Sequence, residues 1–332
     1  MIPIKGYATF DPLKHCLIGK HFSSDFFKTN IKNDRVSSPL QRIADETEED
    51  FQKLDEILRS AGVETHRAKI DENIWNNDFR GRPPVCPRDD FAVIGETIYA
   101  TNVNSVHVGH FYDQIFKQIK RENLYLKNNI GSTPVSTANI CRLGKDLFWD
   151  LQKDDPLEIE LADRWRGEGF RVHTTHRGYH TDASFCVVKP GCIVSLNDIQ
   201  EYKEEFPGWE VLYLPDQSWS KVSPFFEIKD KVNGKWWLPG EEQNDQLIEY
   251  VNTWLQDWVG YVEETVFDVN MLSIDQDTII CNTHNKEVFD FFKKHKVEPI
   301  VFNFRHRYFW DGGIHCITQD LYREGKMEDY FG

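Results

Sequence analysis

The run Gly312-Gly313-Ile314-His315-Cys316 sets a cysteine behind two glycines and a histidine, in a stretch otherwise patterned like a buried strand. Glycine permits close approach to the backbone and dihedrals closed to other residues, which suits a nucleophile presented into a cleft. A thiol attacks as the thiolate, so it needs neighbours that lower its pKa. His315 could serve, although adjacent residues of a strand face opposite ways. A lone cysteine also works as a small buried hydrophobe, and this stretch alone does not separate the two roles.

Two other stretches offer complementary chemistry. In "GYHTDASF", His180 and Asp182 stand two apart, so extended backbone delivers an imidazole and a carboxylate to one face. That pairing suits a base beside a cation binder, or equally a surface pair at a strand start. In "CPRDDFAVIG", Asp89 and Asp90 immediately precede an apolar strand, where one carboxylate can face a pocket or both can serve a turn. A guanidinium is planar, permanently charged and rich in donors, so holding it takes two or more carboxylates. Asp89 and Asp182 could form such a clamp.

Positioning groups so far apart in the chain requires a fold that returns repeatedly to one centre. Several segments share a plan of β-hairpin, amphipathic helix and further strand. "FAVIGETIYA" turns at Gly95-Glu96, "ICRLGKDLFW" at Gly144-Lys145, "ASFCVVKPGCIVSL" at Lys189-Pro190-Gly191 and "NMLSIDQDTIICN" at Asp275-Gln276. Helices are predicted over "DETEEDFQKLDEILRSAG", with Phe51, Leu54, Leu58 and Ala61 inward and Gly62 as the stop. Others follow around Phe111, Ile115 and Ile119, over 243–258 with Leu247, Val251, Trp254, Leu255 and Trp258 inward, and from Lys286 with Val288, Phe291 and Phe292 inward. The stretches "AGVETHR", "EGFRVHT", "PGWEVLY" and "HKVEPIV" rhyme before the third strands. About five such units imply radial repetition, a propeller with α/β blades over residues 1–332 in a single domain. The segment around 217–242 fits no blade and is expected to be a loop elaboration; its Trp236-Trp237 could cover substrate or pack beneath the loop.

The composition removes other classes. Lys and Arg total 39 against 54 Asp and Glu, a net charge of −15, which disfavours nucleic acid and anionic membranes. The basic run Lys293-Lys294-His295-Lys296 reads as a solvated helix end. Neither GxGxxG nor GxxxxGKS occurs, so no nucleotide site is indicated. Seven scattered cysteines without a CxxC pair suggest neither a disulfide framework nor a zinc knuckle. No metal or other cofactor is implied, since histidines and cysteines lack ligand spacing. No apolar run of about 18 or more residues or signal-like leader is seen, and a cytoplasmic protein is expected.

In combination these stretches resemble the amidinotransferases of the guanidine-modifying superfamily, the group with the glycine and inosamine-phosphate enzymes. "TFDPLKHCLIGK", "ADETEEDFQKLDEILRSAGVETHR", "PRDDFAVIGETIYA", "HTDASFCVVKPGCIVSL", "NMLSIDQDTIICN" and "GGIHCITQDLYREG" occur in that family's order. The resemblance implies a pentein-like five-bladed αβ-propeller with ββαβ-type blades around a central cleft. It implies that Cys316 attacks the guanidinium carbon of arginine and that His180 serves the leaving and incoming amines. It assigns Asp89, Asp182, Ser136, Asn139 and Asn270 to substrate. The partners implied are a small-molecule guanidine donor and an amine acceptor, with a homodimer as a compatible assembly.

The sequence departs from that pattern in two places. Where relatives carry an Asp-x-x-Asp motif with one acid orienting the histidine, alignment of "RLGKD" puts Ser136 and Asn139, neither able to hold negative charge. Either another acid substitutes, or activity is slow, or catalysis is lost and a guanidine-binding homologue remains. Where an arginine for the donor carboxylate is expected, Ile199 stands, and Glu263 and Glu264 occupy positions of polar serines. These point to a more cationic substrate. Hydrolytic deimination through the same cysteine is the alternative reaction.

Overall fold

The computed structural model describes residues 1–74, 81–101, 109–128, 135–150, 156–175, 180–196, 202–214, 240–256, 258–259 and 268–332. Ile199, Trp236, Trp237, Glu263 and Glu264 lie outside these, as does most of the 217–242 elaboration. Five three-stranded sheets follow one plan: an antiparallel hairpin, then a crossover to a third strand parallel to the hairpin's second.

The first sheet joins the two ends of the chain. β1 (Leu13–Ile18) pairs antiparallel with β15 (Thr318–Arg323) and parallel with β2 (Glu64–Arg67). Helices α1 (Ser24–Asn30) and α2 (Asp34–Ser60) cross between β1 and β2. The second sheet comprises β3 (Ala92–Ile94), β4 (Thr97–Ala100) and β5 (Leu124–Leu126), with α3 (Asp113–Phe116) in its crossover. The third has β6 (Ile140–Leu143), β7 (Asp146–Asp150), α4 (Pro156–Gly167) and β8 (Arg171–Thr175). The fourth has β9 (Phe185–Lys189), β10 (Cys192–Leu196), α5 (Tyr202–Glu205) and β11 (Glu210–Leu214). Helix α6 (Asp245–Trp254) precedes the fifth, made of β12 (Leu272–Ser273), β13 (Thr278–Cys281), α7 (Lys286–Lys294) and β14 (Glu298–Val301). The rhyming stretches of the sequence are thus the parallel third strands β2, β8, β11 and β14.

Local predictions hold where apolar period and turn chemistry agree. The hairpin turns fall where expected, and Leu247, Val251, Leu255, Trp258, Val288, Phe291 and Phe292 are buried. The basic run closes α7, whose last turn carries Lys293 and Lys294. Three details differ. Helix α2 begins at Asp34, capped by Asn33, rather than at Asp45, and runs through Pro39, which lacks the N–H that would otherwise bond to the carbonyl of Arg35. Ala61 caps the helix end and Trp254 is exposed, since each lies at the end of its helix beyond the packed stripe.

The first strand of each sheet lines the axis, where the polar core shows how the blades meet. Asp320 on β15 accepts from Arg88 Nη1 at 2.9 Å, from Arg323 Nε at 2.7 Å and from Arg142 Nη2 on β6. All four side chains are 1% exposed or less. The guanidiniums also cap backbone carbonyls: Arg142 donates to Val93 O, Arg323 to Asp11 O and Ser273 O, and Arg88 to His315 O and Thr318 O. Burial alone would raise the Asp320 pKa, but the charges of Arg142, Arg323 and Arg88 hold the carboxyl well below the usual range. Replacing one member of a buried ion pair strands the other charge, at a cost of about 3–5 kcal/mol. Asp320→Ala leaves three buried cations, and we expect at least that loss in urea denaturation; a change below about 1 kcal/mol contradicts the reading.

Candidate active site

The candidate residues share a topological position. Asp89 lies three residues before β3, Asn139 one before β6, Asp182 three before β9, Asn270 two before β12 and Cys316 two before β15. Each blade therefore offers the residues just ahead of its axial strand to the same end of the ring. Three of these entries are short 3₁₀ turns, Pro87–Asp89, Thr137–Asn139 and Thr181–Ala183, and Thr181 Oγ1 ties two of them by donating to Ala138 O at 2.8 Å.

Residues 314–317 form a turn, and β15 starts only at Thr318, so the expectation that His315 and Cys316 face opposite ways on a strand is overturned. Asn270 builds this turn. Its Oδ1 accepts from the backbone N–H of His315 at 2.9 Å and of Cys316 at 3.3 Å, and its Nδ2 donates to Cys316 Sγ at 3.1 Å. Asn282 braces it by donating to Asn270 O at 2.6 Å and accepting from Ile314 N at 2.8 Å. The glycines are needed for space, not for left-handed dihedrals. A Cβ on Gly313 would stand 2.5 Å from Asn270 Oδ1, and one on Gly312 would stand 2.5 Å from Cys86 Sγ.

Around the thiol the structure gathers acids. Asp182 Oδ2 is 3.7 Å from Cys316 Sγ and accepts from His315 Nδ1 at 2.7 Å. Burial lowers the His315 pKa to about 4, with the Arg88 charge adding to it, so this ring is neutral at neutral pH. Burial pulls the Asp182 carboxyl up, but the hydrogen bond it accepts from His315, with the Arg88 charge adding to it, outweighs that and leaves the group ionised. An ionised carboxylate only accepts, so His315 carries its proton on Nδ1. A cavity of about 30 Å³ touches this pair, lined also by Thr181, Cys186, Met271 and Ser273.

Asp89 Oδ1 lies 3.9 Å from His180 Nδ1, and its Oδ2 lies 4.0 Å from Arg82 Nη1. Burial raises the Asp89 pKa, opposed by His180 and Arg82. Its neighbour Asp90 turns away and accepts from Tyr112 Oη at 2.5 Å. Asp89 Oδ1 and Asp182 Oδ1 are both buried and accept no hydrogen bond from the described residues. Each candidate clamp acid thus keeps one oxygen free for a donor. Ser136 Oγ donates to Asn139 Oδ1 at 3.1 Å, so these two neutral side chains pair with each other.

Sequence reading missed Asn282, Arg82 and the His315–Asp182 bond. Arg82 donates to Cys86 Sγ at 2.9 Å, yet nothing in "GRPPVC" marks it as facing Asp89. The positive signal was present for His315 alone, in its position beside the cysteine.

Cys316 itself is held as a thiol. Burial raises its pKa well above the ordinary thiol value, the charges of Asp182 and Asp89 raise it further, and the Asn270 hydrogen bond only partly offsets them. The site is an anionic pocket around a latent nucleophile, and a cation bound between the acids would relieve that repulsion.

No protein-family model matches the chain. Among curated proteins it is similar to the mitochondrial glycine amidinotransferase of Xenopus tropicalis, 20% identical across 99% of this chain and 85% of that protein. It is also similar to inosamine-phosphate amidinotransferase 1 of Streptomyces glaucescens, 21% identical across 87% of this chain and 84% of the relative. Among solved structures, an amidinotransferase of saxitoxin biosynthesis from Microseira wollei superposes with a TM-score of 0.70 at 18% identity, covering 99% of this chain and 100% of that one. A dimethylarginine dimethylaminohydrolase from Pseudomonas aeruginosa follows at 0.57, 9% identical over 92% of this chain and 98% of its own. With five three-stranded sheets, these likenesses show the five-bladed αβ-propeller, pentein-like fold.

Two outcomes follow from this geometry. Gly313→Ala drives a methyl into the Asn270 and Asn282 amides, and we expect about 1–3 kcal/mol of destabilisation with disproportionate loss of Cys316 reactivity. In the free protein, alkylation of Cys316 followed by peptide mass spectrometry should be slow at neutral pH and rise into the alkaline range. Asp182→Asn, removing a nearby negative charge, should shift that profile to lower pH; an unchanged profile contradicts the electrostatic account.

Proposed function

We propose that this chain is an amidinotransferase that moves the amidino group of arginine, or a similar guanidine donor, to an amine through a covalent amidino-Cys316 intermediate. The observation that carries this reading is the gathering of Cys316, Asp89 and the pair His180 and Asp182 from three blades, with one carboxylate oxygen on each acid that accepts no hydrogen bond from the described residues. The likeness to amidinotransferases over nearly the whole chain supports the same reaction.

Asp89 and Asp182 hold the donor guanidinium by charge-assisted hydrogen bonds and orient its carbon toward Sγ. The bound cation favours transfer of the Cys316 proton to His180, and that is the proton later given to the departing amine. The thiolate then adds to the carbon, forming the C–S bond. The bond to the donor's substituted nitrogen breaks while His180 delivers a proton to the departing amine. An acceptor amine attacks the amidino carbon, His180 takes its proton, and the C–S bond breaks to restore the thiolate. Asn270 keeps Sγ aimed throughout. Asp89, 3.9 Å from the imidazole, supplies the negative charge beside His180 that Ser136 and Asn139 cannot. The seven cysteines, free among the described residues, suit a reducing compartment such as the cytoplasm.

Hydrolysis needs only water in place of the amine, and the hydrolase fold relatives make it the second reading. A test separates the outcomes: mix the protein with arginine, without and then with candidate amines, and follow intact mass and products. We expect a Cys316-dependent amidino adduct, discharged to a guanidinylated amine, and no adduct in Cys316→Ser. His180→Ala should lower kcat by about 10²–10⁴ with little change in donor binding. Citrulline as the main product would favour hydrolysis. Full activity in Cys316→Ser would end both readings.

A further inference from the structure

A cluster on the sheet that closes the ring has no part in this chemistry. In the parallel pairing of β1 with β2, His15 lies opposite Glu64, and Leu17 lies opposite His66. Side chains two apart on a strand share a face, so Glu64 and His66 project together beside His15. His15 Nδ1 and His66 Nε2 approach to 3.1 Å, their rings stacked with an interplanar angle of 10°. The Glu64 carboxylate completes a triangle, with Oε2 3.8 Å from His15 Nδ1 and Oε1 3.8 Å from His66 Nε2.

The two ring nitrogens face each other across one shared N–H···N hydrogen bond; a cation would take the place of that proton, with a small rotation of the rings to turn both lone pairs onto it. Zinc holds imidazole nitrogen at about 2.0–2.1 Å, so two such ligands in a tetrahedron stand about 3.3 Å apart, close to the spacing found. Glu64 needs to move by only about half an ångström to join them in such a tetrahedron. Its side chain is 63% exposed and free to do so, while the histidine side chains are 18% and 12% exposed and held by the sheet.

We infer that His15, Glu64 and His66 form a site for a zinc-class divalent cation on the sheet of β15, β1 and β2, with a fourth position left for water or another small ligand. The sequence expectation of no metal rested on spacing along the chain, and strand pairing supplies the missing proximity. The cation would clip β1 to β2 in the blade where the chain's two ends meet.

The test uses the metal-stripped full-length chain without substrate, so its result stands apart from the amidino-transfer reading. Zinc is titrated by calorimetry, and cobalt by absorption. We expect one equivalent bound, visible cobalt d–d bands without a thiolate charge-transfer band, and a raised melting temperature. His15→Ala and His66→Ala should each weaken binding at least tenfold, with folding checked by circular dichroism. Glu64→Gln, on an exposed side chain, should weaken it more modestly and keeps the test open if a histidine variant misfolds. Absence of stoichiometric binding, binding unchanged in these variants, or a thiolate band would overturn the assignment.

Discussion

One carboxylate holds three guanidiniums at the centre of this ring. Asp320 is fixed by Arg88, Arg142 and Arg323, and each arginine also donates to at least one backbone carbonyl: Val93 O, Asp11 O and Ser273 O, or His315 O and Thr318 O. A propeller's sheets otherwise meet through side-chain packing, which tolerates small slips. Charge-assisted bonds to named carbonyls do not. The site inherits this fixity directly, because Arg88 Nε reaches His315 O at 2.6 Å and Thr318 O at 2.9 Å, on either side of Cys316. Arg88 is also the residue before Asp89. One side chain therefore sets the positions of the nucleophile's turn and of a candidate clamp acid.

The electrostatics of core and pocket are opposed and complementary. Below lies an excess of buried cations over Asp320; above lie two acids and a thiol that resists ionisation. Burial, with the Arg88 charge adding to it, keeps His315 neutral, and the hydrogen bond from His315, with Arg88 as a smaller contribution, keeps Asp182 ionised. The pocket is thus prepared for a cation before one arrives. The Cys316 thiol is held protonated while the pocket is empty, which limits adventitious reaction of the sulfur.

Much of this was legible because the blade is a local code repeated. Each hairpin announces its turn, and each crossover helix carries an apolar stripe, so Gly144-Lys145 or Val288, Phe291 and Phe292 could be placed without knowing the ring. The resemblance to amidinotransferases then supplied which strand entries mattered. What stayed hidden depended on tertiary neighbours. His315 was set on a strand, where it would point away from Cys316, but Asn270 and Asn282 bend those residues into a turn. Asp34 to Asp45 was not read as helix because Pro39 breaks the usual pattern. The three axial arginines carried no signal, since nothing in "PRDD", "CRLG" or "LYRE" tells that all three converge on Asp320.

The ring is closed by β1 and β15, strands from opposite ends of the chain, and the sulfur sits two residues ahead of the second of them. During synthesis on the ribosome, the other four blades can emerge and begin to fold while this last strand is still being made. The cysteine turn, the carbonyls that Arg88 grips and the axial Asp320 all arrive together with it. The candidate site therefore cannot be complete before that strand has been made, and the acids of the pocket precede its cysteine in synthesis.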